Sequence, residues 1–468
     1  MKKVLVFLFS SVAMATTAQT LHVVQEGVDY QIPSAQAGDM TFVGGTSVEI
    51  MGRTFTLADV TGMYVDDTPV ADNTVSVVYE DDAAMVYVSG NVARYVDVSV
   101  SGAHVTLTQS DDLDDTTGKI EYILTGSSTN GSFTMNGSYK MDLTLEALSL
   151  TNPSGAAIDI ENGKKINVTV KKGTENTLTD GANGNQKACF VLKGHAEFKG
   201  QGTLNVYGNA AHGIKTGDFM TMKNCTVNIL KATKDGIHAN EYFLLESGTL
   251  TISGVGDDGI QAELDGTSST GETTDHEDED TGNIYIDGGT LTIMVTKAGT
   301  KCIKSDATVR ISGGDLTLTA SGAIDTSDSS DYSYTAGVKA ADVVIDGGAI
   351  DITVTSSGTA GRGISADQSI TTNGGTLTIT NSGAGQTATN DTYTAKGLKA
   401  DSSIKLNAGI IIINMSGTGG KGIKSAGTYT QGLSDGSGPT LTVNTTGSKL
   451  GSSGGGGGFV RCRQSGCF

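Results

Sequence analysis

Short runs of alternating apolar and polar residues recur along most of the chain, and each run is bounded by glycine. Leu, Ile and Val take every second position with Thr, Asn, Asp or Lys between them. Examples are Gly202-Thr-Leu-Asn-Val206, Gly248-Thr-Leu-Thr-Ile252, Gly289-Thr-Leu-Thr-Ile293 and Gly375-Thr-Leu-Thr-Ile379. A period of two predicts brief strands with one face buried. A second phrase interleaves with the first: Gly213-Ile-Lys, Gly236-Ile-His-Ala, Gly259-Ile-Gln-Ala, Cys302-Ile-Lys-Ser, Gly337-Val-Lys-Ala, Gly363-Ile-Ser-Ala, Gly397-Leu-Lys-Ala and Gly422-Ile-Lys-Ser. A third short strand, such as Phe243-Leu-Leu245, Val309-Arg-Ile311 or Val343-Val-Ile345, completes each period.

Three strands per period predict a three-sided coil. Gly213, Gly236 and Gly259 stand 23 residues apart, one bare coil each, while longer intervals carry insertions such as residues 264 to 282. Glycine at the corners permits positive φ where the chain turns sharply. No single coil can bury its apolar row, so neighbours must stack. The fold class is therefore all-β, a parallel β-helix beginning near Val75. Residues 19 to 74 are strand-rich but lack the phrases, and are expected to form a small N-terminal module or cap over the open strand edges.

Composition narrows the field. With 468 residues, Gly 65, Pro 4 and Trp 0, the chain fits neither collagen nor proline-rich disorder. A net charge of −20 argues against a nucleic-acid partner. It would also repel polyacids unless a bound cation or a local basic stripe reverses the field. Lys2 and Lys3, an apolar stretch to about Met14 and then Thr16-Thr17-Ala18 read as a cleaved leader over residues 1 to 18, so an exported protein is expected. No later run is long and apolar enough to insert in a membrane. Cys189, Cys225 and Cys302 are expected at stacked interior positions, and the tail 451–468 matches nothing upstream.

Stacking turns recurring outward positions into columns. After the repeated Gly-Ile come Lys215, His238, Gln261, Lys304, Lys339, Ser365, Lys399 and Lys424, and shortly beyond them Glu263, Asp306, Asp367 and Asp401. A basic row beside an acidic row is either a lattice of mutual ion pairs or a sugar-binding face. Tyr332, Tyr334 and Tyr393, on long-coil insertions, are placed to stack on sugar rings. Before the glycine stand Asp235 and Asp258, with Asp257 beside the latter. Stacked carboxylates repel, and calcium, which takes oxygen ligands, would compensate. Asp235, Asp257 and Asp258, with Glu241 or Glu263, are therefore the expected calcium ligands. His212 and His238 are read as a turn residue and a row residue, with no serine or cysteine partner. A uronate lyase would need a base such as Lys215, Lys234 or Lys304 near that ion.

The runs Ser154-Gly-Ala-Ala-Ile-Asp-Ile160, Gly173-Thr-Glu-Asn-Thr-Leu-Thr-Asp-Gly181, Lys234-Asp-Gly-Ile-His-Ala-Asn-Glu241 and Asp257-Asp-Gly-Ile-Gln-Ala-Glu263 resemble the bacterial carbohydrate-binding β-helix family related to polysaccharide lyase family 9. The resemblance covers about residues 75 to 450. It implies a right-handed, three-sheet solenoid, calcium held by aspartates, and affinity for polysaccharides, acidic ones such as polygalacturonate included. Family 9 lyases use a lysine base beside calcium-binding aspartates; the Asp-Gly-Ile aspartates match here but that lysine has no secure counterpart, so the resemblance does not carry lyase activity over. The reading is an exported, monomeric, non-catalytic protein that binds polysaccharide through Lys304, Lys339, Lys399, Lys424, Tyr332 and Tyr393, with calcium as cofactor. Its rivals are a calcium-dependent pectate lyase and a structural or adhesive surface solenoid.

Overall fold

The computed structural model describes residues 19–38, 40–263, 282–328, 332–355, 357–388 and 391–450. Residues 1–18, where a leader is expected, nearly all of the acidic insertion at 264–282 and the tail 451–468 lie outside the described residues. Apart from one 3-10 turn at Ala93–Tyr95, every regular element among the described residues is a β-strand. No helix among them is long and apolar enough to cross a membrane. The chain divides into two compact units, one of residues up to Val255 plus Gln261–Thr290, the other of Gly256–Ile260 plus the residues from Leu291 on.

Pairing in the first unit begins antiparallel. Thr20–Gln25 lies between Val28–Pro33 and Val60–Asp66, and Thr41–Val43, Ser47–Ile50 and Arg53–Thr56 form a separate meander. Tyr30 meets Phe55 edge-on at 5.2 Å between ring centroids, and the guanidinium of Arg53 lies 4.4 Å from the centre of the Tyr30 ring. Thr74–Glu80 changes the pattern, because it pairs antiparallel with Ala83–Ser89 and parallel with Glu121–Ser128.

From Ala103 onward parallel pairing dominates, and from Ile158–Asn162 to Thr226–Ala232 each strand pairs with the third strand after it. Ala188–Leu192 leads to His212–Thr216 and then to Ile237–Ala239. Ala196–Gly200 leads to Met220–Lys223, Phe243–Leu245 and Ile284–Ile286. Thr203–Gly208 leads to Thr226–Ala232 and Thr249–Val255. The in-register partners Ile214 and Ile237, Val206 and Ile229, and Met220 and Phe243 are all fully buried. Each such side chain contributes about 1.5–3 kcal/mol of burial free energy, which explains why the alternation is kept so strictly.

The second unit repeats the pattern. Lys301–Ser305 pairs with the first half of Ala336–Ile345, which pairs with Arg362–Thr372, then Lys396–Ala400, then Lys421–Ser425. Asp315–Ala320, Ala349–Val354, Thr376–Asn381, Ile410–Met415 and Thr440–Thr445 form another parallel series.

The recurring glycines serve two different ends. Those opening the Gly-Thr-Leu phrase, such as Gly348 and Gly375, have φ of 82° and 74°, the corner conformation expected from the sequence. The glycine of the Gly-Ile phrase departs from that expectation. A Cβ on Gly363 would stand 2.6 Å from the carbonyl oxygen of Gly397, and one on Gly397 would stand 2.5 Å from that of Gly422. Here glycine admits close approach of the next repeat. Cys189, Cys225 and Cys302 are buried and free.

Candidate functional site

In the second unit the two positions that flank the Gly-Ile glycine form columns of positive charge. The register joins Lys304, Lys339, Ser365, Lys399 and Lys424 in one line, and Lys301, Ala336, Arg362, Lys396 and Lys421 in the next. Strands of one sheet lie about 4.8 Å apart, so the charges of each line crowd one another.

Part of the first column is neutralised by carboxylates. Lys339 is ion-paired with Asp367 and Lys399 with Asp401, each carboxylate standing two residues beyond the row position of its own repeat. The Lys304 ammonium lies 3.4 Å from the buried Asp258. The lattice of ion pairs therefore exists, and it is incomplete.

Where the long insertions fold back, the columns open into a cleft of about 360 Å³. Lys301, Lys339, Arg362, Lys399, Tyr332 and Tyr334 line it, with Ser333, Ser365 and Asp367 among the others. Four cations thus face a single lining carboxylate. Tyr332 meets Tyr393 edge-on at 4.8 Å, and Tyr334 lies 6.1 Å from the same ring. The guanidinium carbon of Arg362 sits 3.5 Å from the centre of the Tyr334 ring, and one terminal nitrogen donates to Ser365 Oγ at 2.9 Å. Its Nε is buried without a hydrogen bond. The Lys301 ammonium donates to Gly299 O at 2.6 Å and to Ser333 Oγ at 2.8 Å. Lys396 is buried and donates to Thr394 O at 3.0 Å. Burial first, then the charges of Arg362, Lys424, Lys421 and Lys399, pull its pKa down to about 7.

Of the sugar-binding residues expected from the sequence, the cleft gathers Lys339, Lys399 and Tyr332, with Tyr393 packed on the tyrosines. Lys304 and Lys424 stand on the same column but not in its lining. Sequence reasoning missed Lys301, Arg362 and Lys396 as site residues. Their signal was present in the change from acidic to basic residues just before the glycine.

The expected calcium ligands are distributed over both units. In the second, Asp258 is buried and accepts the Lys301 backbone amide at 2.7 Å, while Asp257 beside it is exposed. Burial outweighs the nearby Lys301 and Lys304 charges and pushes Asp258 up to about 6. In the first unit Asp235 is buried, and its Oδ2 stands 3.1 Å from His212 Nδ1 and 2.9 Å from His238 Nδ1. Burial pulls this carboxyl up, but the two imidazoles outweigh it and hold the group well below the usual carboxylate range. Burial, opposed by the Asp235 carboxylate, pulls the pKa of His212 below its ordinary value. Glu263 Oε2 lies 3.4 Å from the other nitrogen of His238, Glu241 is buried, and Lys215 donates to Asn240. The expectation that His212 and His238 act as unrelated turn and row residues is thus corrected: one precedes the glycine and the other follows the Ile in the next repeat, and stacking turns both toward Asp235.

Three comparisons bear on this arrangement. A solved structure described as the polysaccharide lyase-like protein from C. thermocellum, in a gadolinium derivative, is 24% identical over 52% of this chain and 90% of that chain, with a TM-score of 0.41. No curated protein matches the chain. Residues 101–361 match the family model described as "Carbohydrate-binding domain-containing protein". That match spans more than half of the 468 residues, and the chain belongs to this carbohydrate-binding domain family.

Proposed function

We propose that the protein is an exported, monomeric, non-catalytic binder of acidic polysaccharide, and that the cleft of the second unit holds the sugar. The observation that carries this reading is the Arg362 guanidinium, stacked on Tyr334 and left with a buried Nε donor among Lys301, Lys339 and Lys399. A buried donor without a partner is costly, and a uronate carboxylate would satisfy it with a charge-assisted bond. The tyrosines supply faces and edges on which a sugar ring can pack. A chain with net charge −20 needs such a local basic patch to attract a polyanion at all. In this reading each unit is a length of right-handed, three-sheet parallel β-helix. The pairing of every third strand in the first unit and the parallel series of the second support it, as does the near-universal right hand of parallel crossovers.

Calcium enters the reading at Asp257 and Asp258. A buried carboxyl with its pKa raised to about 6 is under-compensated, and a hard cation relieves that condition. Asp235 fits calcium less well, because the donors facing it are imidazole nitrogens.

The test is titration of polygalacturonate and of a neutral glycan of equal length, with calcium and then with chelator. Binding of the acidic chain that weakens at least tenfold in the Lys339→Ala, Lys399→Ala double variant is expected. Equal affinity for the neutral glycan, or none for either, ends the proposal. The pectate lyase reading has one observation in its favour, the lowered pKa of Lys396. Appearance of unsaturated uronate product in the same mixtures would replace binding by cleavage.

A further inference from the structure

We propose that His212, Asp235 and His238 form a binding site for one divalent transition ion, with Zn2+ the ion that the donor set selects. All three side chains belong to the first unit and each is at least nine-tenths buried, at 10%, 4% and 8% exposure. One donor atom from each lies within 4.8 Å of the other two. Ligands about 2.0–2.1 Å from a tetrahedral zinc stand roughly 3.3 Å apart, close to the 3.1 Å and 2.9 Å already separating the two Nδ1 atoms from Asp235 Oδ2.

Two further observations point to an ion and not to a closed hydrogen-bonded cluster. His212 Nδ1 is buried and makes no hydrogen bond, although it faces the Asp235 carboxylate. An aspartate flanked by two imidazoles that only needed pairing would draw an aligned donor from each. The second observation lies behind the ligands. His238 presents Nδ1 to the cluster and sets its Nε2 3.4 Å from Glu263 Oε2. A carboxylate on the far nitrogen fixes the ring and raises its basicity, as is usual for zinc-bound histidine. Two nitrogens and one carboxylate oxygen suit a borderline ion, whereas calcium prefers six or more oxygens.

The ion would tie three residues from two successive repeats, since His212 and Asp235 precede consecutive Gly-Ile glycines. Its role is structural in the first instance, and a water can fill the fourth position. This site is independent of sugar binding by the second unit, so each can fail without the other.

The experiment uses the full, untagged chain stripped with chelator. Equilibrium dialysis against ZnCl2, followed by metal analysis, should give one equivalent per chain, retained in a large excess of calcium. Co2+ in place of zinc should give the intense visible bands of a four-coordinate site, which requires no variant. His212→Gln and His238→Gln, checked for folding by the β-strand circular dichroism signal, should each weaken zinc uptake at least tenfold. Uptake that is absent, unchanged in both variants or displaced by calcium overturns the site, as does a purely octahedral cobalt spectrum.

Discussion

The two units use the same backbone positions for opposite chemistry. In the first, the residues flanking the Gly-Ile phrase include His212, Asp235 and His238, buried and turned toward one another. In the second, the corresponding positions include Lys301, Arg362, Lys339 and Lys399, which line an open cleft. The local register at these positions does not distinguish them, since Lys215 pairs with His238 in one unit just as Lys339 pairs with Ser365 in the other. A repeated coil is a frame that fixes where side chains stack and leaves their charge free to vary. Ligand chemistry therefore has to be read column by column and cannot be assigned to the fold.

That comparison requires the frame to be equally rigid in both units, and the Gly-Ile glycine tests it with the largest expected effect. In the first unit a Cβ on Gly213 would meet Gly236 O at 2.6 Å and Ile229 Cγ2 at 2.8 Å. In the second a Cβ on Gly397 would meet Gly422 O and Ile413 Cγ2, both at 2.5 Å. Both oxygens are backbone and cannot step aside without moving a repeat. Gly213→Ala and Gly397→Ala should each destabilise by on the order of 3 kcal/mol, measured by denaturant unfolding. If one variant is neutral, the two units do not share a frame, and the analogy between their columns fails.

Next in size is a pH effect confined to the second unit. Asp258 has its pKa raised by burial from 3.8 to about 6, so the folded state holds a proton that the unfolded chain has lost over that interval. Stability is then highest below about pH 4 as far as this group is concerned, and declines as pH rises toward 6. The loss amounts to about 3 kcal/mol when the difference of roughly two units is converted. Asp235 runs the other way: its pKa is depressed, so its contribution is present above the ordinary carboxylate pKa and is lost in stronger acid. Thermal melts in chelator at pH 4 and pH 7 should show the Asp258 slope in the parent and a flatter one in Asp258→Asn. An unchanged slope would mean that another group carries it.

Much of this arrangement was legible in the sequence because a stacked repeat writes its three-dimensional neighbours at a fixed interval. The line through Lys304, Lys339, Ser365, Lys399 and Lys424 was readable from the phrase alone, and so were the buried places of Cys189, Cys225 and Cys302. Direction was not. Alternation says that a residue faces out, but not which neighbour it turns toward, and so the approach of His212 and His238 to Asp235 cannot be read from the phrase. The insertions hid the rest. Tyr332 and Tyr334 precede their strand by a loop whose path no period constrains, so their contact with Arg362 and Tyr393 emerges only from folding. The purpose of the Gly-Ile glycine was equally invisible, because close approach and positive φ leave the same letter in the sequence.

The smallest expected effect separates the cleft from the histidine cluster by its response to pH. Lys396 lies next to Arg362 in register, and its ordinary ammonium pKa of 10.5 is pulled down to about 7 by burial and by neighbouring cations. Below that value it adds a positive charge beside the cleft, while uronate carboxylates remain ionised. Affinity for an acidic oligosaccharide should therefore rise by up to about tenfold between pH 8 and pH 6, as one proton is taken up on binding. Lys396→Met keeps the bulk of the stem, removes the titration and should leave affinity level over that range. Zinc retention by the first unit should move in the opposite direction, because acid protonates imidazole and releases the ion. Parallel pH responses of the two ligands would erase the distinction between the columns; opposite ones, with only the sugar response abolished in Lys396→Met, would locate each chemistry in its own unit.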